Sequence, residues 1–310
     1  MWKYVAKRIL MLIPTLLVVS FIVFWLMSLA GDPASTIMGD NATPEQIEAK
    51  REAMGLNRPL IVRYGEYMLN VVQGDFGTSL YGQNVWEQFT NRIPFTLMLV
   101  CASIFLTVTM SIPLGIAAAL HRGRGIDFLA SAIAMFGVSV PIFWLGQMLM
   151  ILFAVKLKWL PASGIQQGVL KSLILPACSS AITAMGAMTR MTRSSMLDAL
   201  GADYLDTARA KGVKQRVVVW KHALKNALLP IITTIGGQFS IMIGGGVMLE
   251  TVFAWPGIGM LVVTSMRSND YIMVTGCVLI ITILSSLGVL LTDVAYAFVD
   301  PRIKAQYSGK

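Results

Sequence analysis

The chain has 310 residues, of which 55% are hydrophobic and 13% are charged. Soluble domains carry about 25% charged residues, so this composition argues against a soluble globular protein and favours an integral membrane protein. The formal net charge is +9. The excess basic residues flank apolar runs, where membrane topology accounts for them, and binding to nucleic acid is therefore not expected.

Six runs of eighteen or more uncharged residues are each long enough to cross a hydrocarbon core of about 30 Å as a helix. The alternation typical of transmembrane barrels is absent. The sequence therefore predicts an all-α membrane protein with six transmembrane helices in a lipid bilayer. The predicted spans are Ile9–Gly31, Ile93–Leu120, Phe128–Val155, Ser172–Thr189, Asn226–Leu249 and Tyr271–Thr292.

Lysine and arginine are distributed unevenly between the two sides that these spans define. The N-terminus, residues 121–127, residues 190–225 and the C-terminal tail hold 16 of the 25 Lys and Arg with 6 acidic residues, whereas the alternate segments hold 9 with 10. Basic residues accumulate in cytoplasmic loops. Both termini are therefore expected to face the cytoplasm.

The spans divide the chain into three regions. The first run has 23 uncharged residues, more than the 7–15 or so of a signal-peptide core, and is expected to remain as a helix. In the loop that follows, Thr43–Gln46 has an N-cap, a proline at N1 and a glutamine at N3, and a second helix is expected after Pro59. The predicted regions are 1–31, the N-terminus and first span; 32–92, an external (periplasmic) loop domain; and 93–310, a five-helix core.

Residues 190–225 form a polar segment between the fourth and fifth spans, and they contain a short helix with signals at both ends. Asp203 is expected to cap the first backbone N–H groups, and Gly212 to supply the left-handed C′ position. Asp206 in the first turn and Arg209 in the last turn complement the helix dipole. The sequence therefore predicts a compact helix, capped at both ends, on the cytoplasmic side.

The centre of this helix, Thr207 and Ala208, is small enough for another protein to close over it. We interpret the helix as a docking element, while an ordinary surface helix is the alternative. The candidate docking residues are Asp203, Tyr204, Leu205, Asp206, Thr207, Ala208, Arg209, Ala210, Lys211 and Gly212.

Several function classes are not supported by the sequence. No Asp, Glu, Lys, Arg or His lies within the six runs, which argues against coupling to an ion gradient in this chain. The chain has no Gly-x-x-x-x-Gly-Lys-Ser/Thr phosphate loop, His-Glu-x-x-His motif or Gly-x-Ser-x-Gly motif. Its three cysteines lie in apolar runs without ligand spacing, so no metal site is expected. We predict that the chain is not an enzyme.

Neutral polar residues of the third to fifth spans are candidates for lining a wet passage, although tight helix packing is an alternative for the same regions. The fourth run carries small residues four positions apart, a pattern typical of a helix at the centre of a bundle. The candidate lining residues are Ser139, Gln147, Thr183, Thr233, Gln238 and Ser240.

The segment Asp206–Gly212, followed by His222–Pro230, resembles the cytoplasmic coupling motif of ATP-binding-cassette (ABC) importer permeases of the dipeptide and oligopeptide branch. In that family the motif is Glu-Ala-Ala, three residues, then Gly, so residues 206–208 and Gly212 occupy its positions. Asp replaces Glu and Thr replaces the first Ala. Leu224 also lacks the adjoining proline of the general motif. The peptide branch looks similar in these respects.

Further segments match that branch in the same order along nearly the whole chain. The resemblance implies the type I (MetI-like) ABC importer permease architecture, with six helices and both termini inside the cell. The matching segments are Arg8–Leu29 with Gly31–Pro33, Gly55–Pro59, Gly74–Ser79, Glu250–Gly259 and Val299–Arg302.

The resemblance also implies a function and a set of partners. The chain is expected to be a multi-pass permease of the bacterial inner membrane and to form half of a pathway with a second homologous permease. Two cytoplasmic ATPase subunits would bind ATP and Mg²⁺, with no cofactor in this chain, and an external substrate-binding protein would deliver di-/oligopeptide or glutathione-like cargo. Nickel complexes or sugars as cargo remain alternatives, as does a self-sufficient, ion-independent channel.

Overall fold

The computed structural model describes residues 2–39 and 41–299, and within them the only β pairing is an isolated bridge between Thr78 and Asn84. The matching motif at residues 299–302 extends beyond this part of the chain. The α-helices are α1 Trp2–Ala30, α2 Pro33–Met38, α3 Pro44–Ala53, α4 Leu60–Val72, α5 Val85–Leu120, α6 Gly125–Ser139, α7 Ile142–Leu149, α8 Val169–Leu200, α9 Asp203–Ala210, α10 Gln215–Val217, α11 Leu224–Gly245, α12 Val247–Val252, α13 Ile258–Arg267 and α14 Tyr271–Val299.

Five continuous helical stretches are long and apolar enough to cross a membrane. They lie in α1, in α5, in α8, in the stretch from α10 to α11, and in α14. A π-helical turn, Val218–Ala223, joins α10 to α11. A sixth span results when α6, α7 and the π-helical turn Met150–Lys156 are taken together. The prediction of an all-α membrane protein is confirmed.

The third predicted span, Phe128–Val155, is not one straight helix. It is bent by 101° between α6 and α7. Val140 has extended backbone angles, φ −92° and ψ 126°. Pro141 follows it and has no N–H to donate into the preceding turn. Proline therefore explains the break, and it was a signal already present in the sequence.

Helix α8 lies at the centre of the bundle, as the small residues of the fourth run predict. It packs against α5, α6, α7 and α11. Gly186 faces the carbonyl oxygen of Ala134, and Gly137 faces that of Ile182, so closely that neither glycine has room for a Cβ atom. Small residues therefore let α6 and α8 approach backbone to backbone.

The helices α2, α3 and α4 lie at one end of the bundle, which we call the α2–α4 end. Thr43 and Gln46 form the predicted capping box, with Gln46 N donating to Thr43 Oγ1 at 3.3 Å and Thr43 N donating to Gln46 Oε1 at 3.0 Å. Asp270 attaches the turn at Ser79 and Leu80 to the start of α14. Its carboxylate accepts hydrogen bonds from Ser79 Oγ and from the backbone N–H groups of Leu80 and Met273. The opposite end carries α9, and we call it the α9 end.

The orientation of these two ends in the membrane stays a prediction that cysteine labelling tests. Glu45 in α3 and Lys214 after α9 are both exposed, so a cysteine at either position is accessible to a reagent on its own side. With the native cysteines replaced, an impermeant maleimide should label Glu45→Cys in intact cells. It should label Lys214→Cys only after the inner membrane is permeabilised. The reverse pattern would contradict the predicted orientation.

Candidate functional site

Helix α9 begins one residue earlier than a cap at Asp203 requires. Ala202 occupies the N-cap position with extended backbone angles, and no side chain caps the helix. The prediction that Asp203 is the cap is therefore wrong, because Asp203 is already the first helical residue. Asp203 and Asp206 both lie in the first turn, where their negative charge interacts favourably with the helix dipole.

The end of α9 agrees with its predicted stop signal. Gly212 has a φ of +73°, which is the left-handed conformation. Its N–H donates to the Arg209 carbonyl at 2.9 Å, and the N–H of Val213 donates to the Ala208 carbonyl at 3.3 Å. These two bonds form a Schellman motif, which satisfies carbonyl groups at the end of the helix.

One side chain anchors α9 to the bundle. Leu205 is fully buried in an apolar cluster at the α9 end. The cluster contains residues from the end of α5, the end of α8 and the segment that leads into α11. Its other buried members are Ile116, Ala119, Met196, Ala199, Val218, Val219, Ala223 and Ala227. The short helix therefore rests on the ends of three predicted spans at once.

The other side of α9 is open to solvent. Ala208 is half-buried, and Leu205 is the one candidate docking residue that is buried. Asp206 and Arg209 form an exposed ion pair at 2.7 Å, three residues apart. The exposed candidate residues are Asp203, Tyr204, Asp206, Thr207, Arg209, Ala210, Lys211 and Gly212. The structure thus brings the predicted docking residues together on one short helix and the turn that ends it, with an exposed outer face.

A partly buried ion pair that sequence reasoning missed lies at the α9 end of the bundle. Arg193 near the end of α8 donates from Nε to Asp127 Oδ1 at 2.6 Å and from Nη2 to Asp127 Oδ2 at 2.8 Å. The backbone N–H of Gly123 also donates to Asp127 Oδ2, at 2.9 Å. A bidentate Arg–carboxylate pair fixes both distance and orientation. It therefore joins the start of α6 to the last part of α8.

A second missed group lies at the α2–α4 end. Glu250 follows the last turn of α11 and is 1% exposed. It accepts hydrogen bonds from Thr96 Oγ1 at 2.7 Å and from the N–H of Met260 at 3.1 Å. Gly257 and Gly259 lie against the Glu250 carboxylate with no space for a Cβ atom. The Glu250–Gly259 motif is therefore a folded unit around one buried carboxylate.

The six candidate lining residues occupy different environments. Thr233, Ser139 and Gln147 are exposed, whereas Thr183 and Gln238 are half-buried. The hydroxyl groups of Ser139, Thr183, Thr233 and Ser240 each donate to a carbonyl of the preceding turn of their own helix.

Ser240 and Gln238 take part in helix packing. Ser240 is 8% exposed and lies against Gly288 of α14, while Gln238 Nε2 donates to the Ala184 carbonyl at 3.4 Å. A cavity of about 120 Å³ lies among α5, α7, α8, α11 and α12, and none of the six residues borders it. The assignment of these residues to a pathway stays a prediction.

Two family models together cover most of the chain. Residues 111–305 match the binding-protein-dependent transport system inner membrane component, and residues 1–100 match the N-terminal model for membrane components of the same systems. The chain belongs to this family. It is an ABC importer permease of the peptide type and a multi-pass protein of the bacterial inner membrane.

Similar proteins cover nearly the full length. The chain is 42% identical over 306 residues to the glutathione transport system permease protein GsiC of Salmonella typhimurium (strain LT2), which spans 98% of this chain and 99% of that protein. It is 41% identical over 309 residues to GsiC of Escherichia coli (strain K12), with the same coverage. The predicted family is therefore confirmed.

A solved structure shares the permease fold. The inward-facing methionine ABC transporter MetNI matches with a TM-score of 0.57 and 19% identity, over 69% of this chain and 97% of that one. At this identity the match concerns the fold alone. The MetI-like architecture predicted from the sequence is confirmed.

Hydrogen exchange tests the structural role of the Asp127–Arg193 pair. Arg193→Gln removes the charge opposite a carboxylate whose side chain is 9% exposed, so the first turn of α6 should open more often. We expect exchange of its amides to rise on the order of tenfold. Arg209→Gln is the matched control, because its ion pair with Asp206 is exposed and should contribute little. Equal exchange in wild type and Arg193→Gln would contradict this role.

Proposed function

We propose that this permease forms half of the pathway of an ATP-driven importer for peptides of the glutathione type. A second homologous permease completes the pathway, and an external binding protein delivers the cargo. Two cytoplasmic ATPase subunits dock on the coupling helices and bind ATP with Mg²⁺. In this arrangement both termini and α9 face the cytoplasm, and α2–α4 face outward.

The attachment of α9 to the bundle supports this function most directly. Its inner side chain, Leu205, is buried among the ends of α5, α8 and the α10–α11 stretch. Its outer face is exposed, and the Schellman bonds at Gly212 and Val213 hold its end. A partner that grips the outer face would therefore displace three spans with one helix.

The Asp127–Arg193 pair extends this attachment to the third span. The ion pair links the start of α6 to α8 at the α9 end of the bundle. Close backbone contact at Gly137 and Gly186 also joins α6 to α8, further along the two helices. Displacement of α9 would therefore reach α6 through α8, and the chain itself needs no nucleotide site for this step.

The choice of cargo rests on the relatives and on the lack of charge in the predicted runs. The two relatives described above are named as glutathione transport permeases. No Asp, Glu, Lys, Arg or His lies within the six apolar runs. A neutral lining lets a peptide with both charges pass without being trapped by an opposite charge.

Uptake by the reconstituted complex tests the proposal. Vesicles that contain this permease, its partner permease, both ATPases and the binding protein should accumulate labelled glutathione only when ATP is hydrolysed. Ala208→Trp places a bulky side chain in the middle of the docking helix and should abolish uptake, while Ala208→Ser, a small replacement, should retain it. Uptake by this chain alone without ATP would contradict the proposal and support a self-sufficient channel.

A pair of substitutions at Gly212 separates helix geometry from side-chain bulk. No atom lies within 4 Å of a Cβ built on Gly212, so the strain of a substitution comes from the positive φ. Gly212→Val should therefore weaken coupling by much more than Gly212→Asn, because Asn tolerates the left-handed region. Equal uptake and ATPase co-purification in wild type, Ala208→Trp and Gly212→Val would show that α9 is an ordinary surface helix.

A further inference from the structure

Helix α4 has an apolar surface that is wider than its contact with the rest of the protein. At 3.6 residues per turn, its apolar side chains cover more than half of the helix circumference, and Arg63, Glu66 and Asn70 form a narrow polar stripe opposite them. One part of the apolar surface, around Tyr64 and Tyr67, is half-buried. The other part is 46–82% exposed and consists of Ile61, Val62, Leu69 and Val72.

The half-buried part of α4 packs on α1. Tyr64 Oη donates to the Leu17 carbonyl at 3.0 Å. The Tyr64 ring meets the Phe24 ring edge-on with 5.7 Å between their centres. The Tyr67 ring, one turn later in α4, stacks on the same Phe24 ring, also with 5.7 Å between centres. Helix α4 therefore lies beside residues 17–24 of α1.

The level of residues 17–24 in the membrane follows from the ends of their apolar run. Arg8 and Asp32 are the nearest charged residues on either side, and the 23 residues between them measure about 35 Å as a helix. The hydrocarbon core is about 30 Å thick, so about 5 Å of the run at most lies outside it. Phe24 precedes Asp32 by eight residues, about 12 Å along the chain, and Leu17 lies deeper. The side of α4 that packs on these residues is therefore within the hydrocarbon.

The charged residues of α4 are compatible with this depth. Arg63 is half-buried and borders a cavity of about 400 Å³ that Asp32 and Arg51 also line. Glu66 pairs with Arg58 at 2.6 Å. Charged side chains at membrane depth are tolerated when they are paired or face a polar cavity. The polar stripe thus has polar surroundings of its own, and the exposed apolar residues are left for the hydrocarbon.

The outward side chains of α1 at the same level indicate what covers the exposed part of α4. Val18, Ile22 and Leu26 are 45–56% exposed on a helix that is long and apolar enough to cross the membrane. Exposed apolar side chains on a spanning helix pack against lipid. The exposed residues of α4 continue this apolar surface on the neighbouring helix. A soluble partner does not reach this depth, whereas acyl chains are present there.

We propose that α4 is embedded in the lipid leaflet at the α2–α4 end, where its exposed apolar residues contact phospholipid acyl chains. In the orientation of the proposed function, this is the outer leaflet. A helix with a wide apolar face and a polar stripe lies in the membrane interface with its apolar face about 5–10 Å below the headgroup boundary. The packing of Tyr64 and Tyr67 on Phe24 agrees with that depth. One helix of the predicted external loop domain therefore belongs to the membrane.

Spin labels on the complete complex in phospholipid vesicles test this placement. In a chain whose native cysteines are replaced, single labels at Leu69→Cys and Val72→Cys report collisions with molecular oxygen, which dissolves in lipid, and with a water-soluble nickel chelate. We expect oxygen collisions to dominate at both positions because acyl chains surround them. Asn70→Cys is the matched control on the polar stripe, and its ratio of oxygen to nickel collisions should be lower.

Two reference labels define the outcomes. Val18→Cys in α1 gives the value for lipid, and Glu45→Cys, exposed in α3, gives the value for water. A label at Leu69 with the same access to nickel as the label at Glu45 would place α4 in water and overturn the proposal. A label at Leu69 that neither probe reaches would show that a protein such as the second permease covers α4, which also overturns it.

Photocrosslinking gives an independent outcome if the chain without native cysteines does not assemble. With those cysteines retained, p-benzoylphenylalanine in place of Leu69 should crosslink to phospholipid, which mass spectrometry detects as the added mass of one lipid. The same group in place of Asn70 should lose most of this product. A Leu69 product that contains another protein subunit, or no lipid product, would contradict contact with acyl chains.

Discussion

The burial of Leu205 is the contact on which the docking geometry depends. Helix α9 has eight residues, and a helix of that length is not stable in water by itself. Burial of a leucine side chain contributes about 1.5–3 kcal/mol. The apolar cluster that buries Leu205 also contains residues from the ends of three spans. Helix α9 is thus held in place by the same packing that fixes those ends to each other.

Other contacts restrain the bundle around the ends of the spans on which α9 rests. Gly137 and Gly186 bring α6 and α8 into backbone contact, so a larger side chain at either position would force the two helices apart. Asp127 and Arg193 fix the same helices at the α9 end. At the other end, Glu250 ties the α12–α13 segment to α5 through Thr96. The bundle is therefore restrained at both ends and in the middle.

Signals that act over a few residues were readable from the sequence. The capping box at Thr43 and the left-handed Gly212 depend on neighbours within four positions, and both are present. The predicted N-cap at Asp203 was wrong by one position. Acidic residues suit both the N-cap and the first turn of a helix, and only the backbone angles distinguish the two positions. Pro141 was a signal for the break in the third span. The prediction of that span rested on the length of the apolar run and did not use the proline.

Contacts between distant residues were not readable in this way. Asp127 and Arg193 are 66 positions apart, and Thr96 and Glu250 are 154 apart. Pairing across such separations depends on how the helices pack, which a single sequence does not specify. The surroundings of the candidate lining residues could not be predicted for the same reason. The direction in which a polar residue points depends on the rotation of its helix within the bundle. Ser240 illustrates this, since it packs against Gly288.

Because Leu205 is buried among the ends of three spans, we infer that α9 moves as one body with them. The most direct measurement is the distance between spin labels at Lys211 and Arg122, both exposed, in the complete complex before and during ATP hydrolysis. We expect a single narrow distance distribution that does not change in wild type, and a broader one in Leu205→Ala. A distribution that shifts or broadens in wild type when ATP is added would contradict rigid attachment.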